Sequence, residues 1–153
     1  MKSRVIDHKP QLEEIINNCK VCHLSMVDEN NMPYVLPFNF GYADGEIFLH
    51  SAQKGKKIDI LTNNPNVCVA FSGDYELKYR DEDVACSYSW KYRSVLAFGK
   101  VEFITDFEKK KEALNVIMAN YVDRKFKYND PAVKDVNCYK VVIEKLEGRA
   151  YGQ

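Results

Sequence analysis

The segment PYVLPFNFGYADGEIFLHSAQKGKKIDIL, residues 33–61, decides the fold. Residues 33–42 are rich in aromatic and β-branched side chains, a composition typical of a β-strand. Asp44 and Gly45 follow, and this pair favours the two-residue turn of a hairpin because both residues tolerate a positive φ. Residues 46–50 then predict the returning strand, so the segment opens with a β-hairpin.

The hairpin leads into a helix whose first turn collects groups that bind anions. Apolar residues at helical spacing predict a helix over residues 54–63. Ser51 supplies a hydroxyl just before it, and Lys56 and Lys57 supply two ammonium groups at its start. Together with free backbone N–H groups, these side chains predict an anion site, most plausibly for a phosphate. The alternative is that the two lysines form only a solvated helix face.

The other segments predict a small antiparallel β protein in one domain, residues 1–153. Apolar spacing predicts an amphipathic helix over residues 10–19, and Thr105 with Glu108 forms a capping box at a later helix. Further strands are predicted at residues 21–28, 67–71, 92–104 and 139–144, and the strand after residue 71 can continue to residue 79. About six strands with short turns predict a closed or nearly closed barrel with flanking helices.

The composition excludes several classes of function. Lysine plus arginine and aspartate plus glutamate are balanced at 22 each, so no global field attracts nucleic acid. No apolar run approaches the ~20 residues that cross a bilayer, and the polar start MKSRVIDHKPQLEEI does not resemble a signal peptide. We therefore expect a cytoplasmic protein that binds neither nucleic acid nor membrane. Five cysteines without an export signal predict free thiols.

Four segments carry a resemblance to a known family. These are VLPFNF at 35–40, FLHSAQKGKKIDIL at 48–61, NPNVCVAF at 64–71 and CSYSWKYRSVLAFGKVEFI at 86–104. In this order they resemble the pyridoxamine 5′-phosphate oxidase-like FMN-binding split barrels, and among these the nitroimidazole-resistance (Nim-type) subgroup. The resemblance implies a mainly β, six-stranded antiparallel split barrel. It also implies a homodimer with two FMN molecules in the subunit interface.

The resemblance also implies a set of cofactor-binding residues. They are Pro37, Phe38, Asn39, His50, Ser51, Ala52, Lys56, Lys57, Arg93 and Ser94. The first three follow the flavin ring, where an edge strand offers backbone hydrogen bonds, and the serine and lysines bind the phosphate. Arg93, from either subunit, faces the phosphate or the pyrimidine edge of the ring. The alternative for Arg93 is a surface ion pair. No metal is expected.

His50 is the candidate catalytic residue, because its match in Nim-type proteins lies near the flavin. An imidazole can give a proton to a substrate that is being reduced near neutral pH. The alternative is a histidine that only shapes the pocket by hydrogen bonding.

The motif Cys19-Lys20-Val21-Cys22-His23 fits the C-x-x-C-H pattern of covalent haem attachment. We expect neither haem attachment nor a zinc site there, because no export signal and no second Cys or His pair accompany the motif. A redox role of the two thiols stays open.

Three functions compete. The first is an FMN-dependent oxidoreductase that reduces a small planar substrate such as a nitroimidazole-like nitroaromatic. The second is an FMN-binding electron carrier without a dedicated substrate. The third is a binder of another planar cofactor, haem or a deazaflavin. We expect no pyridoxamine phosphate oxidation, because the segment EKLEGRAYGQ lacks the family's arginine-rich pattern. The absence of a G-x-G-x-x-G motif argues against a dinucleotide-binding unit of the Rossmann type.

Overall fold

The structure, a computed structural model, describes residues 2–152 and contains one antiparallel sheet with flanking helices. The eight strands are β1 (Ser3–Ile6), β2 (Cys22–Val27), β3 (Pro33–Phe38), β4 (Gly41–Ala43), β5 (Glu46–Ala52), β6 (Asn66–Lys78), β7 (Ser89–Ile104) and β8 (Val136–Tyr151). The helices are α1 (Lys9–Asn18), α2 (Lys56–Asn63), α3 (Phe107–Ala119) and α4 (Asp130–Asp135), with a 3₁₀ turn at Ala85–Ser87. Within residues 2–152, no helix is long and apolar enough to cross a membrane.

The strand order is β3-β2-β6-β7-β8-β5-β4, and β1 pairs with β8. The two end strands, β3 and β4, are separated in the chain only by Asn39 and Phe40. The sheet therefore curls until its ends meet, without hydrogen bonds between them, which is a split barrel. This confirms the predicted fold class. The predicted count of six strands was too low, because β1 was missed and the single strand expected at 33–42 is two strands.

The break between β3 and β4 is held by the end of α3. Asn120 donates its side-chain N–H to the carbonyl of Phe40 at 3.1 Å and to that of Cys19 at 3.3 Å. Tyr121 accepts the N–H of Phe40 at 3.0 Å and donates its hydroxyl to the carbonyl of Lys20 at 2.6 Å. Both backbone groups of Phe40 are thus satisfied outside the sheet, so the strand can stop without an energetic penalty. We call these four hydrogen bonds the Phe40 latch.

The core fills the barrel with alternate side chains of the strands. Phe40 and Phe71 are fully buried and meet edge to face, with ring centroids 5.0 Å apart. Ile60 and Leu61 of α2 are buried in the same core, so this helix covers one end of the barrel. Burial of these side chains, rather than intrinsic helix propensity, fixes a helix as short as α2 in place.

The predicted elements agree with the structure at their centres and differ at their ends. The hairpin turn is confirmed, with positive φ at Asp44 (51°) and Gly45 (75°). The cap of α3 was predicted at Thr105 but is Asp106, whose carboxylate accepts the N–H of Lys109 at 3.0 Å. The segment between α3 and β8 contains the short helix α4.

Beyond the barrel, the ends of β6 and β7 form a projecting two-stranded arm, residues 74–91. β8 pairs with β7 only from Tyr92 onward, so the part of the chain that the structure describes gives the arm no third strand. Its apolar side chains are exposed: Tyr75 by 61%, Leu77 by 49%, Tyr79 by 51% and Trp90 by 55%. These side chains form a contiguous exposed aromatic face on a two-stranded hairpin, an element that is marginally stable alone.

Gly99 tests the packing of β7 against β8. A Cβ at this position would overlap the backbone carbonyl of Val142, which cannot move without shifting the strand. We expect Gly99→Ala to lower the free energy of unfolding by about 1–3 kcal/mol, the usual cost of overpacking. Gly73→Ala is the control, because a Cβ at Gly73 meets nothing within 4 Å. Urea unfolding measures both; equal stability of the two variants contradicts the prediction.

Candidate functional site

The end of β5 and the start of α2 place the predicted anion-binding residues together. Between them, Gly55 has φ 136°, a conformation that favours glycine, and it forms the N-cap of α2 without a side-chain cap. The first N–H groups of α2, on Lys56 and Lys57, therefore have neither a side-chain cap nor a preceding helical turn as partner. This helix start presents free N–H donors next to two cationic side chains.

The ammonium groups of Lys56 and Lys57 are directed toward aromatic rings of β3. The Lys56 nitrogen lies 4.6 Å from the centroid of Tyr34, and the Lys57 nitrogen lies 5.5 Å from that of Phe38. Within residues 2–152, neither lysine forms a salt bridge with a carboxylate. Two cations without a neutralising partner are well suited to attract an anion.

Ser51 lies on the same face of the sheet as a residue that sequence reasoning missed, Tyr139 of β8. Leu49 pairs with Tyr139 and Ser51 with Asn137, so these four side chains share one face. Tyr139 is fully buried, and its hydroxyl, next to that of Ser51, has no hydrogen bond of good geometry within the described chain. In the sequence, Tyr139 is one apolar position of an alternating strand, so nothing distinguished it from a core residue.

His50 faces the opposite side of the sheet from Ser51. It pairs with Cys138 of β8, and residues on the two faces alternate along the strand. Its Nδ1 atom is buried and has no hydrogen-bond partner among the described residues. Burial lowers the pKa of His50 from its ordinary value of 6.5, so the imidazole is mainly neutral at neutral pH.

The predicted ring-binding segment lies on an edge strand. Among the described residues, β3 pairs only with β2, in the register of Pro37 opposite His23, so its other edge has no strand partner there. Pro37 and Asn39 are exposed, whereas Phe38 is buried in the core. The alternation of faces along β3 thus places Phe38 on the inner side, and Ala52, at the end of β5, is exposed.

Arg93 and Ser94 do not lie with the other predicted residues in this chain. Arg93 pairs with Ala150, near the other end of β8 from the partner of His50. Its guanidinium contacts Asp74 at 2.5 Å and Glu14 at 3.5 Å, and the hydrogen bond to Asp74 raises the pKa of Arg93. Within one protomer, Arg93 is therefore engaged in an ion pair that ties the arm to α1.

The cysteines of the C-x-x-C-H motif are packed in the core. Cys19 and Cys22 are both buried, and burial raises the pKa of Cys22 to about 12. Covalent haem attachment requires both sulfurs to reach the porphyrin edge, so their burial argues against it, and the raised pKa disfavours a reactive thiolate. Within residues 2–152, no three His, Cys, Asp or Glu side chains gather as a metal site.

A cleft of ≈ 620 Å³ lies beside Lys56, between the β2–β3 turn and α2. It is lined by Val27, Asp28, Glu29, Asn30, Lys56, Asp59, Ile60, Asn63 and Asn64. The cleft opens the start of α2 to solvent, so a ligand can reach Lys56 directly.

Comparisons with known proteins show the family and the fold of this chain. The sequence profile of the pyridoxamine 5′-phosphate oxidase family matches residues 8–150. A protein from Bacteroides thetaiotaomicron, provisionally assigned to 5-nitroimidazole antibiotic resistance, is 41% identical with TM-score 0.89, covering 97% of this chain and 87% of that one. No curated protein sequence matches at a significant level.

Two more distant solved structures share the fold alone. The FAD and heme binding protein of Mycobacterium smegmatis has TM-score 0.85 at 15% identity, with 97% of this chain and 74% of that one covered. A FAD-binding protein from Mesorhizobium loti has TM-score 0.71 at 20% identity, with 99% and 100% covered.

The buried imidazole of His50 predicts a pH dependence of stability. Because its pKa is lowered by folding, the unfolded chain takes up a proton at a higher pH than the native protein does. The free energy of unfolding should therefore fall as the pH drops from about 7.5 to 5.5. In His50→Gln the part of this fall in stability that is due to His50 should disappear. In His23→Gln, which changes an exposed histidine, it should remain. Urea unfolding across this pH range measures the free energy of unfolding. The same dependence of that free energy on pH in His50→Gln and in wild type contradicts the prediction.

Proposed function

Because the chain belongs to the pyridoxamine 5′-phosphate oxidase family, we propose that it is an FMN-dependent oxidoreductase that reduces a small planar substrate. The observation that carries this proposal is the pair of unneutralised lysines at the uncapped start of α2, beside Ser51. A relative assigned to 5-nitroimidazole resistance, 41% identical, supports a nitroaromatic as the substrate class.

The phosphate end of FMN fits this site chemically. A phosphate monoester carries close to two negative charges at neutral pH and accepts several hydrogen bonds. Lys56 and Lys57 match that charge, and the backbone N–H groups of the helix start and the hydroxyl of Ser51 supply the further donors. Ala52, next to Ser51, has a small side chain that leaves the approach open.

The ring of FMN fits the free edge of β3. Its pyrimidine side needs N–H and C=O partners, which an edge strand offers without breaking a ladder. Pro37 has no N–H to donate. The backbone of Phe38 and the exposed side-chain amide of Asn39 would therefore form the hydrogen bonds to the ring. Bound FMN would supply the electron-transfer chemistry that no amino-acid side chain in this chain provides.

The arm at residues 74–91 supports a homodimer. An exposed aromatic face of this kind marks a binding surface, and we propose that a second copy of the chain packs against it. The cofactor would then lie between the two copies. Arg93 and Ser94 lie at the base of the arm, remote from the lysines of their own protomer. In the dimer they would belong to the partner's site, where Arg93 would stabilise negative charge on the flavin.

His50 is proposed to give a proton to the substrate during reduction. Its unpaired Nδ1 atom leaves the imidazole free to bind a ligand. Since burial lowers its pKa, protonated His50 is a minor species at neutral pH. The same neutrality favours a second function, an FMN-binding electron carrier, in which His50 only hydrogen-bonds.

We expect the purified protein to retain FMN through desalting, and Lys57→Ala to weaken FMN binding. Loss of a charged hydrogen bond should cost about 1.5–3 kcal/mol. Lys109→Ala, at the start of α3, is the matched control, because it removes the same charge from another first helical turn. Fluorescence titration measures both. Wild-type protein that emerges without flavin contradicts the proposed function, and unchanged affinity in Lys57→Ala removes that residue from the site.

We expect His50→Ala to retain FMN better than Lys57→Ala does, yet to reduce nitroaromatics more slowly. Wild-type turnover should rise as the pH falls toward the lowered pKa of His50, since the protonated fraction grows, and the variant should lose this rise. Steady-state rates with a chemical reductant of flavin measure both. Equal rates in wild type and His50→Ala exclude the proton-donor role. Tight FMN binding without turnover of any nitroaromatic favours the electron carrier.

A further inference from the structure

We propose that Tyr139 is a positioning residue that turns the hydroxyl of Ser51 outward onto the cofactor phosphate, an inference that rests on the proposed function. The phenol does not touch the phosphate in this arrangement. When the phosphate is bound, the phenol acts by donating a hydrogen bond to the Ser51 oxygen.

The first observation is the burial of a polar group that packing alone does not require. Tyr139 is 0% exposed, and its ring packs against Phe38 and Phe103, with centroids 6.3 and 5.5 Å away. A phenylalanine would fill the same space. The hydroxyl instead lies buried without a hydrogen bond of good geometry within residues 2–152, which costs free energy that the native protein must offset.

The second observation is the direction in which this hydroxyl lies. Ser51 is on the same sheet face, and its hydroxyl is the side-chain oxygen next to that of Tyr139. Phe38, which packs on the ring of Tyr139, is also the ring below the Lys57 ammonium, 5.5 Å from its centroid. Tyr139 therefore lies behind Ser51, on the inner side of the phosphate site.

The donor and acceptor capacity of the two hydroxyls explains how Tyr139 orients Ser51. A serine hydroxyl has one proton and two lone pairs. Without a ligand, Ser51 donates its proton to the carbonyl of Ala52 at 3.0 Å. When Tyr139 donates to the Ser51 oxygen, the Ser51 proton can be directed to a phosphate oxygen, and the linked bonds strengthen each other. Burial raises the pKa of Tyr139 to about 12, so the phenol keeps its proton at physiological pH.

The test compares FMN with riboflavin, which has the same ring and no phosphate, in wild type and Tyr139→Phe. We expect the dissociation constant of FMN to rise about threefold to tenfold, the effect of one hydrogen bond, and that of riboflavin to stay unchanged. Without flavin, Tyr139→Phe should unfold at the same or a higher urea concentration, because an unsatisfied hydroxyl is removed. Tyr42→Phe is the matched control: its hydroxyl is also buried and unpartnered among the described residues, and burial raises its pKa to about 12.

A second experiment uses Ser51→Ala. If Tyr139 acts through Ser51, adding Tyr139→Phe to Ser51→Ala should weaken FMN binding no further. Additive effects overturn the inference, as does an equal loss of FMN and riboflavin affinity or an unchanged FMN affinity in Tyr139→Phe. These outcomes leave the proposed function standing, provided that wild-type protein binds FMN. Failure of the wild type to bind FMN removes the proposed function and this inference together.

Discussion

The Phe40 latch is the constraint on which the shape of the barrel depends. A buried residue between two strands has an N–H and a C=O without ladder partners, and leaving them unpaired is costly. The end of α3 supplies both partners through Asn120 and Tyr121. Because of this, β3 and β4 can separate into the two ends of the sheet instead of continuing as one strand. The separation leaves β3 with a free edge beside α2, where the candidate site lies.

The latch also connects distant parts of the chain. Asn120 and Tyr121 bind the carbonyls of Cys19 and Lys20 as well, so α1, the strand break and α3 meet at one point. A Cβ on Gly41 would overlap the backbone of Val116, which shows how closely α3 approaches β4 there. A residue with any side chain at position 41 would push α3 away and loosen these hydrogen bonds.

The electrostatics of the site are local, because the chain carries no net charge. Some basic side chains elsewhere are paired with carboxylates, as Arg93 is with Asp74 and Lys140 is with Glu46 at 2.8 Å. Lys56 and Lys57 lie over aromatic rings instead, an arrangement that holds a cation weakly and releases it to a stronger partner. Together with buried polar atoms that lack partners among the described residues, this arrangement supports the proposed ligand site.

Local sequence determined the elements and the contiguous half of the site. The turn at Asp44, the helix over residues 10–19 and the cluster from Ser51 to Lys57 could all be predicted, because neighbours in the chain stay neighbours in space. Tertiary structure alone decided the rest. The strand break at Phe40 depends on hydrogen bonds from α3, and the approach of Tyr139 to Ser51 depends on the pairing of β5 with β8. Strand register also sets the face of His50, since a shift of one residue reverses every side chain.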